Sequence, residues 1–401
     1  MKRGLNICFF YIVILCWGCN SKPVSNKENV TIKQTKIIKN AKNPKKEVSI
    51  IDFNDIPNKE EKVFLQDVAE LTYIPLETND ATLLEGIRNF TISDKYILAH
   101  NKKEGSIFLF NDKGKIVSSF NHKGGSGKEY IYCSRVTFDE EKKEIYIVDD
   151  VRRKQILVYD YNGTFLKSIP TSNNMMDGLM NVNGEWLFYY DMASLMYFPK
   201  KDSLSNYRLV NKNDGSIKEL FIKPEIEQTN SIRKKDGSVS VASFSFPYFR
   251  NGEEIILADF ACDTIYSLTD DNMKPYFIKK NAFRNLLITP YLKTQNHLFL
   301  YLTEKNENSK KFINTRILAY NQNKSKIDNI VFFNRDDESK PVTFINVLIE
   351  NRIPNCGIGI YSASKLIELN GKGQLKGELQ HIASKLKEDD NPILMIVKFN
   401  I

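Results

Sequence analysis

Residues 122–130, HKGGSGKEY, set three glycines beside a lysine, the composition of a phosphate cradle. A nucleotide-binding P-loop needs a glycine five residues before its Gly-Lys pair and a Ser or Thr after it. Here His122 stands five residues before Gly127, and Glu129 follows Lys128. The next residues, YIYCSRVTF (130–138), are aromatic and β-branched, which suits a strand where a P-loop needs a helix. The loop reads as a structural turn.

The acidic candidates are Asp149, Asp150, Asp259 and Asp263. Asp149 and Asp259 fall just after the second strand of the repeat described below, and His100 takes that place in the first repeat. Carboxylates from several repeats could converge on calcium, which prefers oxygen ligands. Their other use is to accept loop N–H groups, and recurrence at equivalent positions favours that use. The chain implies no other cofactor. His100, His122, His297 and His381 are scattered, without HExxH or other metal spacing. No Gly-x-Ser-x-Gly elbow supports an α/β-hydrolase nucleophile. Tyr197, Phe198, Phe244, Phe246, Tyr248 and Phe249 could stack on a sugar or peptide, although strand packing accounts for most of them. Cys133, Cys262 and Cys356 form neither a disulfide framework nor a metal pattern and read as small buried apolar side chains.

The elements that position these residues come from a repeat. KYILAHNKKEGSIFLFNDKGKIVSSF (95–120) aligns without a gap on EIYIVDDVRRKQILVYDYNGTFLKSI (144–169), 49 positions on. Gly114 meets Gly163, and Asn111 meets Asp160. Each unit carries three strand-like apolar runs, the last two joined by a turn whose Asn, Asp and Gly accept left-handed conformations. Weaker copies begin at 185, 254 and 298. Strands recurring in this way predict an all-β, six-bladed β-propeller of four-stranded blades. Five blades lie between 83 and 333. The sixth is expected from both ends, with ELTYIPLET (70–78) beside NPILMIVKFNI (391–401), which removes exposed sheet edges. One C-terminal helix is predicted over 373–390, with Leu375, Leu379, Ile382, Ala383 and Leu386 as its apolar stripe.

With those motifs in order, residues 63–401 resemble the six-bladed β-propeller lipoproteins of Bacteroides-type bacteria, distant relatives of NHL-repeat propellers. The resemblance rests on YIPLET (73–78), GKIVSSFNHKGGSGKEY (114–130), DTIYSL (263–268) and EDDNPILMIVKF (388–399). In that family the glycine stretch usually reads Gly-x-Gly-Pro-x-Glu-Tyr, whereas Ser126 and Gly127 stand at its Gly-Pro.

The chain's opening suits such an address. Lys2 and Arg3 precede a short apolar run, Leu5–Trp17, too short for a permanent span but right for a secretory signal. Gly18-Cys19 resembles a lipobox, which implies lipid on Cys19 after removal of residues 1–18. Of the net charge of +8, Lys2 and Arg3 carry two and residues 19–50 a net +6, so 51–401 are near neutral. Residues 19–50 read as a basic, disordered tether drawn to anionic headgroups. A neutral body makes nucleic acid an unsuitable partner. Two functions compete. The first is a lipid-anchored, non-catalytic propeller that binds a peptide, glycan or protein partner in the cell envelope. The alternative is a metal-dependent hydrolase or lyase working in the central channel. With no acidic run after Cys19, the expected place is the periplasmic side of the outer membrane.

Overall fold

In a computed structural model of the chain, the described residues are 48–401, except 55, 81, 85–87, 103, 153, 172–175, 192–205, 223–230, 234–236, 238, 243–245, 283–284, 307, 310 and 345–348. The signal segment, Cys19, the stretch to residue 47, and Tyr197, Phe198 and Phe244 lie outside them.

The chain enters through β1 (Ser49–Asp52), β2 (Glu60–Phe64), a one-turn helix α1 (Leu65–Val68) and β3 (Ala69–Pro75). Blade one is β4 (Arg88–Ile92), β5 (Tyr96–Asn101), β6 (Ser106–Asn111) and β7 (Ile116–Asn121). Blade two is β8 (Cys133–Asp139), β9 (Glu144–Asp149), β10 (Gln155–Asp160) and β11 (Phe165–Pro170). Blade three is β12 (Met176–Asn181), β13 (Trp186–Asp191), β14 (Tyr207–Asn211) and β15 (Ile217–Leu220). A small hairpin, β16 (Ser231–Arg233) and β17 (Val239–Val241), precedes blade four, which is β18 (Tyr248–Asn251), β19 (Glu254–Leu257), β20 (Thr264–Thr269) and β21 (Asn272–Lys280). Blade five is β22 (Leu286–Lys293), β23 (His297–Asn306), β24 (Lys311–Asn321) and β25 (Lys326–Phe333). The chain closes with β26 (Ile349–Asn351), β27 (Cys356–Tyr361), helices α2 (Ala363–Gly371) and α3 (Gly377–Ala383), and β28 (Ile393–Phe399). Six sheets stand in a ring as a six-bladed β-propeller.

The packing explains why the strands read as continuous apolar runs. Each blade is covered on both faces, so both sets of alternating side chains are buried. Ile97, Ala99, Phe108 and Phe110 pack toward blade six, while Leu98, Ile107 and Leu109 pack toward blade two. The turns between third and fourth strands of blades one and two share one chemistry. Asn111 Oδ1 accepts the Lys113 and Lys115 N–H groups, and Asp160 Oδ1 those of Asn162 and Thr164. Gly114 sits at φ +73°, and a Cβ there would meet the Pro75 carbonyl oxygen at 2.3 Å. Only glycine meets both demands.

Ring closure follows the expected scheme. β3 pairs antiparallel with β28, from Pro75 opposite Ile393 to Ala69 opposite Phe399. Its two faces meet different neighbours, Tyr73 in the cluster of Phe299 and Phe332, and Ile74 against that of Phe90 and Phe108. β3 is the outer edge of its sheet, where Pro75 costs no ladder bond. Asn391 seals the joint. Its amide Nδ2 donates to the Glu77 and Thr82 carbonyls, its Oδ1 accepts the Leu84 N–H, and its own N–H reaches Thr78 Oγ1.

Three features differ from the sequence reading. In place of one helix over 373–390 there are two, α3 covering only Gly377–Ala383 of that range and α2 preceding it, with Gly373 at φ +67° in the break between them. α2 carries its own stripe of Ala363, Leu366 and Leu369, and Ser362 Oγ accepts the Lys365 N–H at its start. The propeller also begins before residue 63, since β1 pairs parallel with β21, and β2 with β25, as fifth strands on two outer edges. Finally, the inner strand of blade six has left its sheet. β26 pairs parallel with β4 of blade one, which leaves β27, β28 and β3 as a three-stranded sheet.

Candidate functional site

The two ends of the ring are unequal. On one, first and second strands, and third and fourth, are joined by connections of two to five residues, such as 93–95, 140–143 and 270–271. On the other lie 122–132, 334–344 and the helical segment 362–392. Loops on a rigid scaffold are where binding residues concentrate, so the second end is the candidate binding face.

Asp149, the last residue of β9, faces this end. Its Oδ2 accepts the Ile131 N–H at 2.8 Å, and its Oδ1 accepts those of Tyr132 at 3.2 Å and Val151 at 2.9 Å. Asp259 Oδ1 likewise accepts the N–H two residues on, at Ala261 and 2.8 Å. Burial raises the Asp259 carboxyl above its ordinary value, opposed by the Ala261 N–H, Lys279 and the Tyr207 hydroxyl. Asp263 Oδ1 accepts the Thr264 hydroxyl at 2.7 Å, and Asp150 is half-buried beside Asp149. Asp149 and Asp150 belong to blade two, Asp259 and Asp263 to blade four, and the hydrogen bonds of Asp149, Asp259 and Asp263 are to nearby loops and strands. Among the described residues no three His, Cys, Asp or Glu side chains gather as a metal site.

The place assigned to His100 belongs to Asn101. β4 pairs Arg88 with Asn101, as β8 pairs Cys133 with Asp149. The connection after the second strand is one residue longer in blade two, so the gap-free alignment is one residue out there. Asp191 occupies the same place in blade three, pairing with the Arg208 guanidinium at 3.1 Å. Neither Asn101 nor Asp191 stood out in the sequence, and strand register was the missing signal. Asn101 Nδ2 donates to the Leu83 carbonyl, so in both of the first two blades this residue latches the strand end to the loop entering the blade.

A charged cluster fills the axis near the short-turn end. Glu350 on β26 accepts the hydroxyls of Thr91 at 3.3 Å and Thr137 at 2.7 Å. It also pairs with Arg352 Nε at 3.0 Å and Arg250 Nη1 at 3.5 Å. One carboxylate thus touches first strands of blades one, two and four, which is possible only on the axis. Arg250 also donates to the Asn181 carbonyl and, at 2.7 Å, to Gly252 O. Arg352 reaches Phe138 O at 2.6 Å and stands 4.4 Å from the Phe138 ring. Burial holds the Arg250 pKa down to about 10, with Arg352 adding to that and Glu350 opposing it. All three side chains are buried, and each charge has an opposite partner, as buried ions require. These residues are far apart in sequence and form no motif.

The other candidates are structural. The glycine loop joins β7 to β8, with Tyr130 donating to Gly105 O at 2.6 Å, Glu129 accepting the Ser126 N–H at 2.8 Å, and Arg152 bonded to the carbonyls of Gly125 and Ser126. The carboxylate of Glu129 thus occupies the hollow of the loop. Tyr248 and Phe249 are buried in β18, with Phe246 packed beside Tyr248. His122 stacks on Tyr159 with ring centres 5.2 Å apart. Cys133, Cys262 and Cys356 are buried.

The fold has counterparts. A solved structure from Bacteroides fragilis NCTC 9343, of a protein named as exported, is 16% identical, with TM-score 0.60 over 88% of this chain and 100% of its own. A Bacteroides vulgatus member of the DUF4221 family is 10% identical, with TM-score 0.45 over 83% of this chain and 97% of its own. No curated protein matches. The model of the family described as Domain of unknown function (DUF4934) matches residues 48–398, and the chain belongs to that family.

Proposed function

We propose that this chain is a lipid-anchored, non-catalytic β-propeller of the cell envelope that binds a peptide, glycan or protein partner on its loop-bearing face. The observation that carries the reading is the inequality of the two ends, one of tight turns only and one holding the long connections. The axis supports it too. Glu350, an acid on the axis, has its oxygens committed to two hydroxyls and two guanidiniums, an arrangement that braces the ring. Anchoring rests on the Gly18-Cys19 pair after a short apolar run, and the absence of an acidic run after Cys19 favours the periplasmic side of the outer membrane. The exported relative in Bacteroides fragilis is in keeping with that address.

Two measurements test the reading. Cys19→Ala should leave the membrane fraction or stop processing, and unchanged mass and partition would remove the anchor. A photo-crosslinker at Val151, on the loop-bearing face, should capture envelope partners that one at Asp214, in a short turn, does not. Equal capture from both would contradict the face assignment.

A further inference from the structure

We propose that the rim of blades one and two on the loop-bearing face, formed by Leu83, Ile131 and Val151 among Lys123, Lys128 and Lys154, docks an extended acidic peptide segment of a partner protein. The proposal deepens the binding reading and rests on it. Val151 is 60% exposed, more than any other large apolar side chain among the described residues, and Ile131 and Leu83 are 39% and 37% exposed. Ile131 and Val151 are neighbours because their N–H groups share the carboxylate of Asp149, at 2.8 and 2.9 Å. Leu83 holds in blade one the place of Ile131 in blade two, its carbonyl latched by Asn101 at 3.2 Å. The three side chains therefore stand on a pinned backbone, and little ordering is left to oppose binding.

The surrounding charge selects the partner. Among the described residues of the same connections Lys123, Lys128 and Lys154 are exposed, against Asp80 and Glu104 as exposed acids, with Asp150 half-buried. Glu129 is turned onto the Ser126 N–H, and Asp149 is spent on three N–H groups. Aliphatic side chains interleaved with lysines complement aliphatic side chains interleaved with carboxylates. Contacts that pass from Leu83 in one blade to Ile131 and Val151 in the next suit an extended segment, whose alternate side chains face the same way.

The test uses the full chain in detergent and a fluorescein-labelled ten-residue peptide of alternating Glu and Leu, followed by anisotropy. Peptides of alternating Lys and Leu, and of Glu and Ser, are the controls. The Glu–Leu peptide should bind saturably and at least about tenfold more tightly than either control. Ile131→Ser with Val151→Ser should weaken it about tenfold, and Lys128→Glu with Lys154→Glu should do the same and abolish its salt dependence. Val117→Ser, on the outer strand β7 and 50% exposed, should change nothing. Absence of saturable binding, equal binding of the Glu–Ser peptide, or full binding by the serine variant would overturn the proposal. Partner capture at Val151 that survives Ile131→Ser would sink this rim alone, whereas equal or no capture at Val151 and Asp214 would sink the wider binding reading.

Discussion

Lys212 Nζ lies 2.6 Å from Asp139 Oδ2, with both side chains out of solvent, and the pair pins blade three to blade two at the short-turn end. Asp139 Oδ1 also accepts the Glu141 and Lys142 N–H groups, and the ammonium stands 4.9 Å from the Tyr146 ring centre. Burial holds the Lys212 pKa down to about 8, with Asp139 opposing, so desolvation outweighs the attraction. Breaking such a pair costs more than replacing it. Lys212→Met should lower stability by about 3–5 kcal/mol, whereas Lys212→Met with Asp139→Asn, which keeps the backbone bonds, should lie within about 1 kcal/mol of wild type. Urea unfolding measures both, and equal losses would show that the two residues are not coupled.

His100 gives a prediction about acid. Burial holds its pKa down to about 3, with Lys102 and Arg135 adding to the effect and the Ser134 backbone opposing it. In the unfolded chain it titrates near 6.5. Between these values the unfolded state takes up a proton that the folded state refuses, so stability falls as pH drops from 6.5 toward 3. Above 6.5 the penalty vanishes. At pH 5 the loss is about 2 kcal/mol. His100→Gln should remove that part of the slope between pH 7 and 5, and a variant with the wild-type slope would show that His100 ionises freely.

Ring closure should depend on Asn391. Four hydrogen bonds converge on this residue, and Asn391→Leu removes the side chain that bonds the Leu84 N–H and the carbonyls of Glu77 and Thr82, at a cost of about 3 kcal/mol. Truncation after Asp390 removes β28 from between β27 and β3, and should abolish cooperative melting. Melting of that truncation at the parent temperature would mean that the ring closes by other strands.

Calcium should not stabilise the fold. The oxygens of Asp149 are committed to three N–H groups and that of Asp259 to another, so a cation would have to displace the bonds that shape the loops. The expected melting temperature is the same in millimolar calcium and in chelator. A shift of several degrees would return these carboxylates to the list of metal ligands.

Five blades were legible in the sequence because adjacent blades bury both faces of each strand and hairpins such as those of Gly114 and Gly163 need a left-handed residue. The sixth was legible as a deficit, with a strand at 70–78 that had no local partner and a strongly apolar one at 391–401. The axial cluster was not. Thr91, Thr137, Arg250 and Glu350 come from four separate strands, and only the ring makes them neighbours. β26 could not be foreseen either, since three residues, Ile349–Asn351, are too few to mark a strand and pair with a blade distant in sequence. His100 was misplaced by one residue because alignment by letters ignores a longer connection, whereas hydrogen-bond register does not.

The parallel pairing of β1 with β21 and of β2 with β25 has a mechanical consequence. A tension applied through residue 48 runs along β1, and Ser49–Asp52 lie beside Phe277–Lys280 in one direction. The ladder is then loaded in shear, with its bonds resisting together, as in a lap joint. A terminal hairpin pulled from its open end would instead peel one bond at a time. If β1 yields, the load passes to β2 along Asn329–Phe333, a second joint of the same kind, before it reaches β3 and the ring.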